Sequence, residues 1–415
     1  MTLERLQIAN VRNLERVELD LTDRGNLLVG ANGSGKTSVL EAVHLLSMGR
    51  SFRPGRASGL IRYGASECTV FGVARVDGFQ YSIGFTRGRD GAREFRVNGE
   101  SQRLASEVAR LLPVQVLGPR TVDLIQEGPD LRRRFLNWGV FHVKPAFRAE
   151  WAAAERSLRS RNRLLREIDG ARIADSAEFT SWEWQLAQHS ARLDAMRRDY
   201  LRGFQPVLDR ILVDLQFPTT ISIEYHPGWT VEVDEAGTMV PGGVGRAVDA
   251  AAAPEGETGL SDTPDYRDPD TRGRTVPLDG RLAEALTRLF ADCRGADLQR
   301  GYTTMGYHRA ELRVRADGHP AADYLSRGQM KVLAWAMMVA QGQLLHEVAG
   351  RSSIYLADEM GAELDESNIR GICHLLTQAN VQCIATGLDD GLARSWPEGS
   401  IRTSHIEGGI ISPSR

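Results

Sequence analysis

Gly30-Ala31-Asn32-Gly33-Ser34-Gly35-Lys36-Thr37 is the stretch of sequence that decides the fold class of this chain. It fits the phosphate-loop pattern G-x-x-x-x-G-K-[ST], in which glycines let successive backbone N–H groups turn inward around an anion. We expect the whole stretch to contact a bound nucleotide. Lys36 would reach the β- and γ-phosphates, which makes it a candidate catalytic residue, and the Thr37 hydroxyl would bind Mg²⁺.

The segments on either side of this loop match the structural context that the motif requires. Asn26-Leu27-Leu28-Val29 is typical of a short buried strand, and residues 37–46 have the apolar periodicity of a helix. The N-terminus of that helix would face the phosphates, where its unpaired N–H groups and positive dipole end favour anions. The alternative is a glycine-rich turn that merely joins two elements.

The composition of the 415-residue chain is that of an ordinary globular protein, with 42% hydrophobic and 25% charged residues. It has no apolar run long enough to span a membrane and no secretory h-region at its N-terminus, so we expect a cytoplasmic protein. Four cysteines without a C-x-x-C pair predict neither a disulfide framework nor a zinc site. Because the net charge is only −3, nucleic-acid binding would need a local basic surface.

The chain changes character along its length. Its first part has alternating apolar residues typical of strands, including a hairpin predicted at Asp77-Gly78 and a short strand at Val114-Gln115-Val116-Leu117. From Asp130 onward two helical patterns predict an arm of two helices, the first with apolar positions from Trp151 to Ile168 and the second from Trp182 to Val207.

The first arm segment is strongly basic. Between Leu131 and Arg166 there are ten Lys or Arg residues against Glu150 and Glu155. A solvated helix face and a nucleic-acid surface both explain this excess, and the charge alone does not decide between them. Residues 234–279, by contrast, are rich in Gly, Ala, Pro, Asp and Glu, which predicts a flexible acidic insertion.

Two later motifs extend the nucleotide site. Ile354-Tyr355-Leu356-Ala357-Asp358-Glu359 is an apolar strand that ends in two carboxylates. Asp358 would hold Mg²⁺, and Glu359 would act as the catalytic general base on the attacking water. Ser326 is well suited to cap the helix predicted over Met330–Gln343.

Tyr324-Leu325-Ser326-Arg327-Gly328-Gln329 resembles the signature of ABC-type ATPases. In that family the signature of one subunit closes over a nucleotide bound to the phosphate loop of another. The resemblance therefore implies a dimer with two sandwiched nucleotides. It also assigns nucleotide contacts to Asp365, within Glu363-Leu364-Asp365, and a nucleotide and metal contact to Gln115, at the position of the family's Q-loop glutamine. The assigned signature contacts are Ser326, Arg327, Gly328 and Gln329.

Over nearly its whole length the chain resembles the RecF family of bacterial recombination and gap-repair ATPases. The nucleotide motifs are widely shared, whereas Arg132-Arg133-Arg134-Phe135-Leu136-Asn137-Trp138-Gly139-Val140-Phe141-His142 is more specific to that family. Further matching segments are Arg12-Asn13-Leu14, Val29 to Ala42, Gly49-Arg50-Ser51-Phe52-Arg53, Arg161-Asn162, Gly306 to Leu312 and Arg315-Ala316-Asp317-Gly318.

The RecF resemblance implies an ATP- and Mg²⁺-dependent homodimer with weak, DNA-stimulated ATPase activity. It implies binding to single-stranded DNA and to single-strand/double-strand junctions at gaps. It also implies cooperation with RecR and RecO in loading RecA, in recombinational repair, replication restart and the SOS response. Carried over to this sequence, it adds Arg12, Asn13 and Ser38 to the nucleotide contacts. Within the basic tract, the candidate DNA-binding residues are Arg132, Arg133, Arg134, Arg161 and Arg163.

Some residues depart from the family pattern. Glu359 stands where RecF proteins usually carry a second aspartate, and it is the residue that ABC ATPases generally use. Thr386 stands where ABC transporters place a switch histidine, which RecF-like proteins also lack. Tyr307 and Arg120 replace a usual proline and glutamate, and we assign them no mechanistic role.

The predicted fold class is α/β, an ABC-type P-loop ATPase similar to SMC heads. We expect a mixed sheet in a first lobe, residues 1–117 and 350–415, and a helical second lobe, residues 118–349, that carries the arm. Three alternatives stay open at this point. The first is the ATPase subunit of a transporter, which would leave the helical arm unexplained. The second is a longer SMC-type tether, which would need a longer coiled coil and a C-x-x-C hook. The third is a metabolic P-loop kinase, which would leave the signature unexplained.

Overall fold

The computed structural model describes residues 1–53, 57–102, 105–167, 177–233, 239–241 and 280–413. The strands are β1 (Thr2–Val11), β2 (Leu14–Asp20), β3 (Gly25–Val29), β4 (Glu67–Val76), β5 (Phe79–Gly88), β6 (Arg93–Val97), β7 (Glu100–Gln102), β8 (Val114–Leu117), β9 (Ile221–His226), β10 (Val231–Val233), β11 (Met239–Pro241), β12 (Glu311–Ala316), β13 (His319–Pro320), β14 (Ile354–Ala357), β15 (Cys383–Gly387), β16 (Ile401–Glu407) and β17 (Ile410–Pro413). The α-helices are α1 (Lys36–Met48), α2 (Ala105–Leu111), α3 (Asp123–Gln126), α4 (Pro129–Val143), α5 (Phe147–Glu167), α6 (Ala177–Asp214), α7 (Gly280–Arg300), α8 (Ala321–Tyr324), α9 (Arg327–Ala349), α10 (Met360–Glu363) and α11 (Glu366–Gln378).

The mixed sheet that carries the nucleotide motifs has the strand order β17-β16-β3-β15-β14-β8. All its neighbouring strands are parallel except β17, which pairs antiparallel with β16. Every residue of β3 and of β14 is buried, as expected for parallel strands covered on both faces. The loop after β3 and the carboxylates after β14 therefore emerge at the same edge of this sheet, on either side of the end of β15.

A second six-stranded sheet is antiparallel, with the order β2-β1-β4-β5-β6-β7. Buried and less buried positions alternate along β4, which is the pattern of a strand with one face on the core. The predicted hairpin is confirmed: Asp77 and Gly78 both have positive φ, at 51° and 83°, as a two-residue turn between right-twisted strands requires.

Helix α1 packs in one hydrophobic core with strands of both sheets. Every residue of α1 except Thr37 is buried, so the helix that follows the phosphate loop is held on all sides. The loop is consequently anchored at both ends, by a central strand of the mixed sheet and by a buried helix. This anchoring positions the Lys36 and Thr37 side chains.

The structure divides into two compact units. The first unit contains residues 1–127, 203–222 and 315–415, and the second contains residues 128–202 and 223–314. These boundaries differ from the predicted lobes mainly because α9 belongs to the first unit. Gln341 and Val339 of α9 accept hydrogen bonds from Gln115 of β8 and Tyr355 of β14, which ties the helix to the mixed sheet. The division into functional lobes stays a prediction.

The two arm helices are confirmed as α5 and α6. Trp151, Leu158 and Leu165 of α5 and Leu186 and Met196 of α6 are buried, as their helical spacing predicted. Ile168 lies outside the described residues. So does most of the acidic segment 234–279, of which the structure describes only residues 239–241, paired with β10. No helix in the described ranges combines the length and hydropathy that a membrane span requires.

Candidate nucleotide-binding site

The phosphate loop joins β3 to α1 with a backbone that only glycine accepts at key positions. Gly33 and Gly35 have φ of 80° and 113°, a region that side chains disfavour. A Cβ at Gly35 would lie 2.5 Å from Leu14 Cδ2, and one at Gly30 would lie 2.3 Å from the Ile406 carbonyl oxygen. Neighbouring residues therefore hold the loop closely at Gly30 and Gly35, where a side chain would displace the loop or its neighbours, whereas at Gly33 only the positive φ favours glycine.

Lys36 is buried and turns back over the loop. Its ammonium group donates to the carbonyl oxygens of Gly30 at 2.6 Å and Ala31 at 2.9 Å. Burial lowers the pKa of Lys36, and the nearby Asp358 and Glu359 carboxylates oppose that shift. The side chain thus lies across the inside of the loop, at the position from which a cation can contact phosphate oxygens.

Thr37 and Asp358 meet at the edge of the mixed sheet although 321 residues separate them in sequence. The Thr37 hydroxyl donates to Asp358 Oδ1 at 3.0 Å. Thr386, at the end of β15, donates its hydroxyl to the same carboxylate oxygen at 3.0 Å and accepts the backbone N–H of Glu359 at 2.9 Å. A hydroxyl and a carboxylate this close form the oxygen donor set that Mg²⁺ prefers.

Glu359 has a left-handed backbone, with φ of 54° and ψ of 39°, and stands just before α10. A non-glycine residue in this conformation is uncommon and is concentrated at functional sites. The residue is exposed, next to the buried Asp358. The turn sends the two successive side chains in different directions. The Asp358 carboxylate stays hydrogen-bonded to Thr37, and the Glu359 carboxylate is open to solvent.

Asn13 braces the loop from the neighbouring β1–β2 turn. Its Nδ2 donates to the Gly33 carbonyl oxygen at 3.0 Å, and its Oδ1 accepts the Ser38 hydroxyl at 2.8 Å. Arg12 instead forms a paired hydrogen bond with Glu41, at 2.9 and 2.6 Å, and donates to the Gly59 carbonyl oxygen. Glu41 is fully buried and raises the pKa of Arg12 through these bonds.

The loop residues fit a phosphate group. The Ser34 hydroxyl is buried and has no hydrogen-bond partner among the described residues, so a donor is left facing the loop. The N-terminus of α1 has neither a side-chain cap nor an acidic residue in its first turn. Its N–H groups and dipole therefore favour an anion, with Lys36 adding a full positive charge.

The signature residues form the exposed N-terminus of α9. Ser326 accepts the N–H of Gln329 at 3.3 Å, and Gln329 Oε1 accepts the N–H of Ser326 at 2.9 Å, which is a complete capping box. Ser326, Arg327 and Gly328 are exposed. Asp365 is also exposed and caps α11 by accepting the N–H of Asn368 at 2.9 Å, which lowers the pKa of Asp365.

Gln115 forms its hydrogen bond away from Thr37 and Asp358. It is 2% exposed, within β8, and its amide donates to Gln341 Oε1 at 2.9 Å. In the described chain neither Thr37 nor Asp358 forms a hydrogen bond with it. The strand places Gln115 two residues before its end, and in this structure the side chain lies in the core beside α9. Its role as a nucleotide and metal contact stays a prediction.

The structure also corrects the prediction that Arg161 binds DNA. Arg161 is fully buried and pairs with Asp297 at 2.6 Å and Glu183 at 3.2 Å. It further donates to the Thr303 hydroxyl and to the Phe290 carbonyl oxygen. The residue links α5, α6 and α7 and has no surface that a DNA phosphate could reach.

The other predicted DNA-binding arginines differ in exposure. Arg132 forms a two-point ion pair with Glu311, and Arg133 contacts Asp130 and the Ala310 carbonyl oxygen, so both guanidinium groups are largely engaged within the protein. Arg134 is exposed. Arg163 is 57% exposed, and within the described ranges its ion pairs are long contacts of 3.8 and 3.9 Å to Glu167 and Glu178.

Two residues that organise this site were not predicted from the sequence. Thr386 occupies the switch-histidine position, and its hydroxyl joins Asp358 to Glu359. Glu41 of α1 forms ion pairs with Arg12 and Arg53 and accepts a hydrogen bond from the Ser51 hydroxyl. Glu41 is the one acidic residue of α1, within its apolar segment Val39 to Val43, and this is the signal that could have found it. A fully buried carboxylate needs cationic or hydroxyl partners.

A phosphate loop and an acidic strand end on one mixed sheet, with an exposed signature at the start of α9, define the class, an ABC-type ATPase head of the SMC-like kind. The family model described as the RecF/RecN/SMC N terminal domain matches residues 2–412. An SMC head bound to the C-winged helix domain of ScpA has the same fold, with a TM-score of 0.51 at 14% identity, covering 100% of this chain and 97% of that one.

Within that class, the chain belongs to the RecF family. It is 37% identical to the DNA replication and repair protein RecF of Pseudomonas fluorescens and 36% identical to that of Pseudomonas entomophila. Each alignment covers 99% of this chain and 98% of the relative. A structure of the recombination mediator protein RecF-ATP in the RecFOR pathway shares the fold, with a TM-score of 0.79 at 22% identity, covering 100% of this chain and 99% of that one.

Proposed function

We propose that this protein is an ATP-dependent DNA-binding ATPase of recombinational DNA repair and replication restart. The main observation behind the proposal is that a chain of the RecF family brings four residues together at one sheet edge: Lys36, Thr37, Asp358 and Glu359. The RecF structure solved as RecF-ATP supports ATP as the nucleotide.

Different residues of the site serve nucleotide binding and hydrolysis in this proposal. Lys36 and the N-terminus of α1 would hold the β- and γ-phosphates, while Thr37 and Asp358 would hold Mg²⁺. When bound, Mg²⁺ supplies positive charge that neutralises the phosphate oxygens. Glu359 would accept a proton from the water that attacks the γ-phosphorus, while the bond to the bridging oxygen breaks and ADP leaves with that oxygen. Hydrolysis is weak and DNA-stimulated in this proposal, so the nucleotide serves as a switch.

The active form we propose is an ATP-dependent homodimer. The signature is exposed, and its helix end has a capping serine, a glycine and no acidic residue in its first turn. Such an end favours the γ-phosphate held by a second copy. MgATP would then stabilise association, because it contacts both copies only in the dimer.

Light scattering of the Glu359→Gln variant tests this step. With saturating MgATP the variant should shift from monomer to dimer, since binding persists while hydrolysis is blocked. Adding Ser326→Arg to the same variant should prevent the shift without weakening nucleotide binding. A Glu359→Gln protein that binds MgATP and stays monomeric would overturn the dimer proposal.

The DNA surface we propose lies on the exposed part of the basic arm. Arg156 is exposed, and none of the described acidic residues forms an ion pair with it. Arg156 and Arg159 line an open groove of about 320 Å³ between α5 and α6, together with Trp182 and Gln185. Arginines can contact phosphates there, and a tryptophan ring can stack on an unpaired base.

Charge reversal at Arg156 and Arg163 tests this surface. The double Glu variant should bind gapped and single-stranded DNA more weakly, and the slope of log K against log salt should fall by about 0.7 to 0.9 for each phosphate that the protein no longer neutralises. Arg16→Glu, at an 82% exposed position on β2, is the matched charge control. An unchanged slope in the double variant would place DNA elsewhere.

The cellular role that we propose follows from family membership and from the description of the related structures as part of the RecFOR pathway. The protein would act in the cytoplasm at single-strand/double-strand junctions, helping RecO and RecR to load RecA, and would contribute to the SOS response. RecA filament assembly on gapped DNA, with and without this protein, measures that role directly. No acceleration in the presence of RecO, RecR and MgATP would contradict it.

A further inference from the structure

We propose that Thr386 is a positioning residue that holds Asp358 and Glu359 in one fixed arrangement for ATP hydrolysis. The proposal rests on the ATPase function proposed above and deepens it. Thr386 is fully buried at the end of β15. That strand lies between β3, which leads into the phosphate loop, and β14, which ends at Asp358.

The hydroxyl of Thr386 is used in both of its hydrogen-bonding capacities. It donates to Asp358 Oδ1 at 3.0 Å and accepts the N–H of Glu359 at 2.9 Å. One atom therefore fixes the carboxylate of one residue and the backbone of the next. A hydroxyl is suited to this task because it is both a donor and an acceptor.

Asp358 is held from two sides. Thr37 donates to the same Oδ1 from the phosphate loop at 3.0 Å. With both hydroxyls bound, the carboxylate has little freedom to rotate, and its orientation toward Thr37 is set before any ligand arrives. Second contacts of this kind on a proposed metal ligand influence metal affinity and activity by about 10- to 100-fold.

Glu359 needs the bond to Thr386 for a different reason. Its left-handed backbone, with φ of 54°, is unfavourable for a residue with a side chain, and such a conformation persists only when its surroundings impose it. The N–H donated to Thr386 is a restraint of this kind. Removing it frees the backbone at the residue that we propose as the general base.

The test is a pair of substitutions at one position. Thr386→Val keeps the branched shape of the side chain and removes the hydroxyl, whereas Thr386→Ser keeps the hydroxyl. In single-turnover assays Thr386→Val should slow ATP hydrolysis by about 10- to 100-fold and raise the Mg²⁺ concentration needed for half-maximal rate. ATP affinity should stay within about 3-fold, because Lys36 and the loop are untouched, and Thr386→Ser should recover most of the rate.

A readout without nucleotide separates positioning from general damage. Amide hydrogen exchange in peptides covering residues 356–361 should be faster in Thr386→Val than in the unsubstituted protein and near normal in Thr386→Ser. If Thr386→Val does not fold, Thr386→Ala compared with Thr386→Ser isolates the hydroxyl, because both lack the threonine methyl group and they differ only in the hydroxyl. The same rate and exchange differences are then expected between these two variants.

Two results would overturn the proposal. One is hydrolysis in Thr386→Val within about 2-fold of the unsubstituted protein, well below the effect expected of such a contact. The other is an equal decrease in rate in Thr386→Ser and Thr386→Val. Failure of the proposed ATPase function has a different signature: the unsubstituted protein would not hydrolyse ATP, and Lys36→Ala would bind ATP normally.

Discussion

Replacing Arg161 with methionine should destabilise the second unit severely while leaving its surface unchanged. Methionine has a similar length and removes the charge, so the substitution tests the ion pairs more than the packing. In the folded protein Arg161 neutralises Asp297 at 2.6 Å and Glu183 at 3.2 Å, and both carboxylates are about 1% exposed. Removing the guanidinium leaves two buried carboxylates short of a partner.

The magnitude depends on what remains around those carboxylates. Breaking a buried ion pair by removing one partner costs about 3–5 kcal/mol. Glu183 keeps Arg294 at 2.6 Å, and Asp297 keeps the N–H and hydroxyl of Thr304 at 3.0 and 2.6 Å. This partial compensation places the decrease in stability toward the lower end, about 3 kcal/mol, which is more than a 100-fold decrease in the folding equilibrium constant.

Equilibrium urea unfolding followed by circular dichroism measures this decrease. Arg163→Met is the matched control, because Arg163 is two residues away on the same helix, 57% exposed and only weakly paired. It should change stability by less than about 0.5 kcal/mol. An Arg161→Met variant as stable as the control, with weaker DNA binding, would refute the structural role and restore Arg161 as a DNA contact.

Three further predictions concern the nucleotide site and its surroundings. Lys36→Ala should abolish ATP-dependent dimerisation and lower ATP affinity by at least about 10-fold, measured by fluorescent-nucleotide titration, because the main cation facing the phosphates is removed; normal affinity would refute the site. Asn13→Ala should slow hydrolysis with little change in urea stability, since it removes the two bonds that brace the loop, and an unaltered single-turnover rate would contradict this. Asp365→Ala should cost about 1 kcal/mol at pH 7, as for other helix caps. The hydrogen bonds lower the pKa of Asp365 in the folded protein, so its stabilisation is fully present above the ordinary value of 3.8. The stabilisation is lost as the pH falls from that value through the lower pKa of the folded state. A pH-independent difference in unfolding would contradict the assignment.

Much of the nucleotide site could be predicted from sequence because its chemistry is local. The positive φ of Gly33 and Gly35, the exit of Lys36 and Thr37 from the loop into α1, and the Ser326 cap all follow from residues adjacent in the chain. Parallel strands ending at one sheet edge also make the meeting of Thr37 and Asp358 predictable.

The basic arm was less predictable. The sequence placed Arg161 and Arg163 together as DNA contacts, because both belong to the same basic helix. The structure buries Arg161 and exposes Arg163, because they point to different faces of α5. The carboxylates that form ion pairs with Arg161 belong to α6 and α7. No pattern within the sequence of α5 shows where those two helices lie.

The sequence by itself determined the class of protein, the phosphate loop with its flanking elements, the acidic strand end and the signature, since each depends on short-range spacing and backbone geometry. Only the tertiary structure decided that Gln115 pairs with Gln341 in the core, that Arg12 binds Glu41, and that Thr386 joins Asp358 to Glu359. These contacts connect residues that are between 27 and 226 positions apart. They depend on how strands and helices are ordered in space, and a buried polar group takes the partner which that order brings within hydrogen-bonding distance.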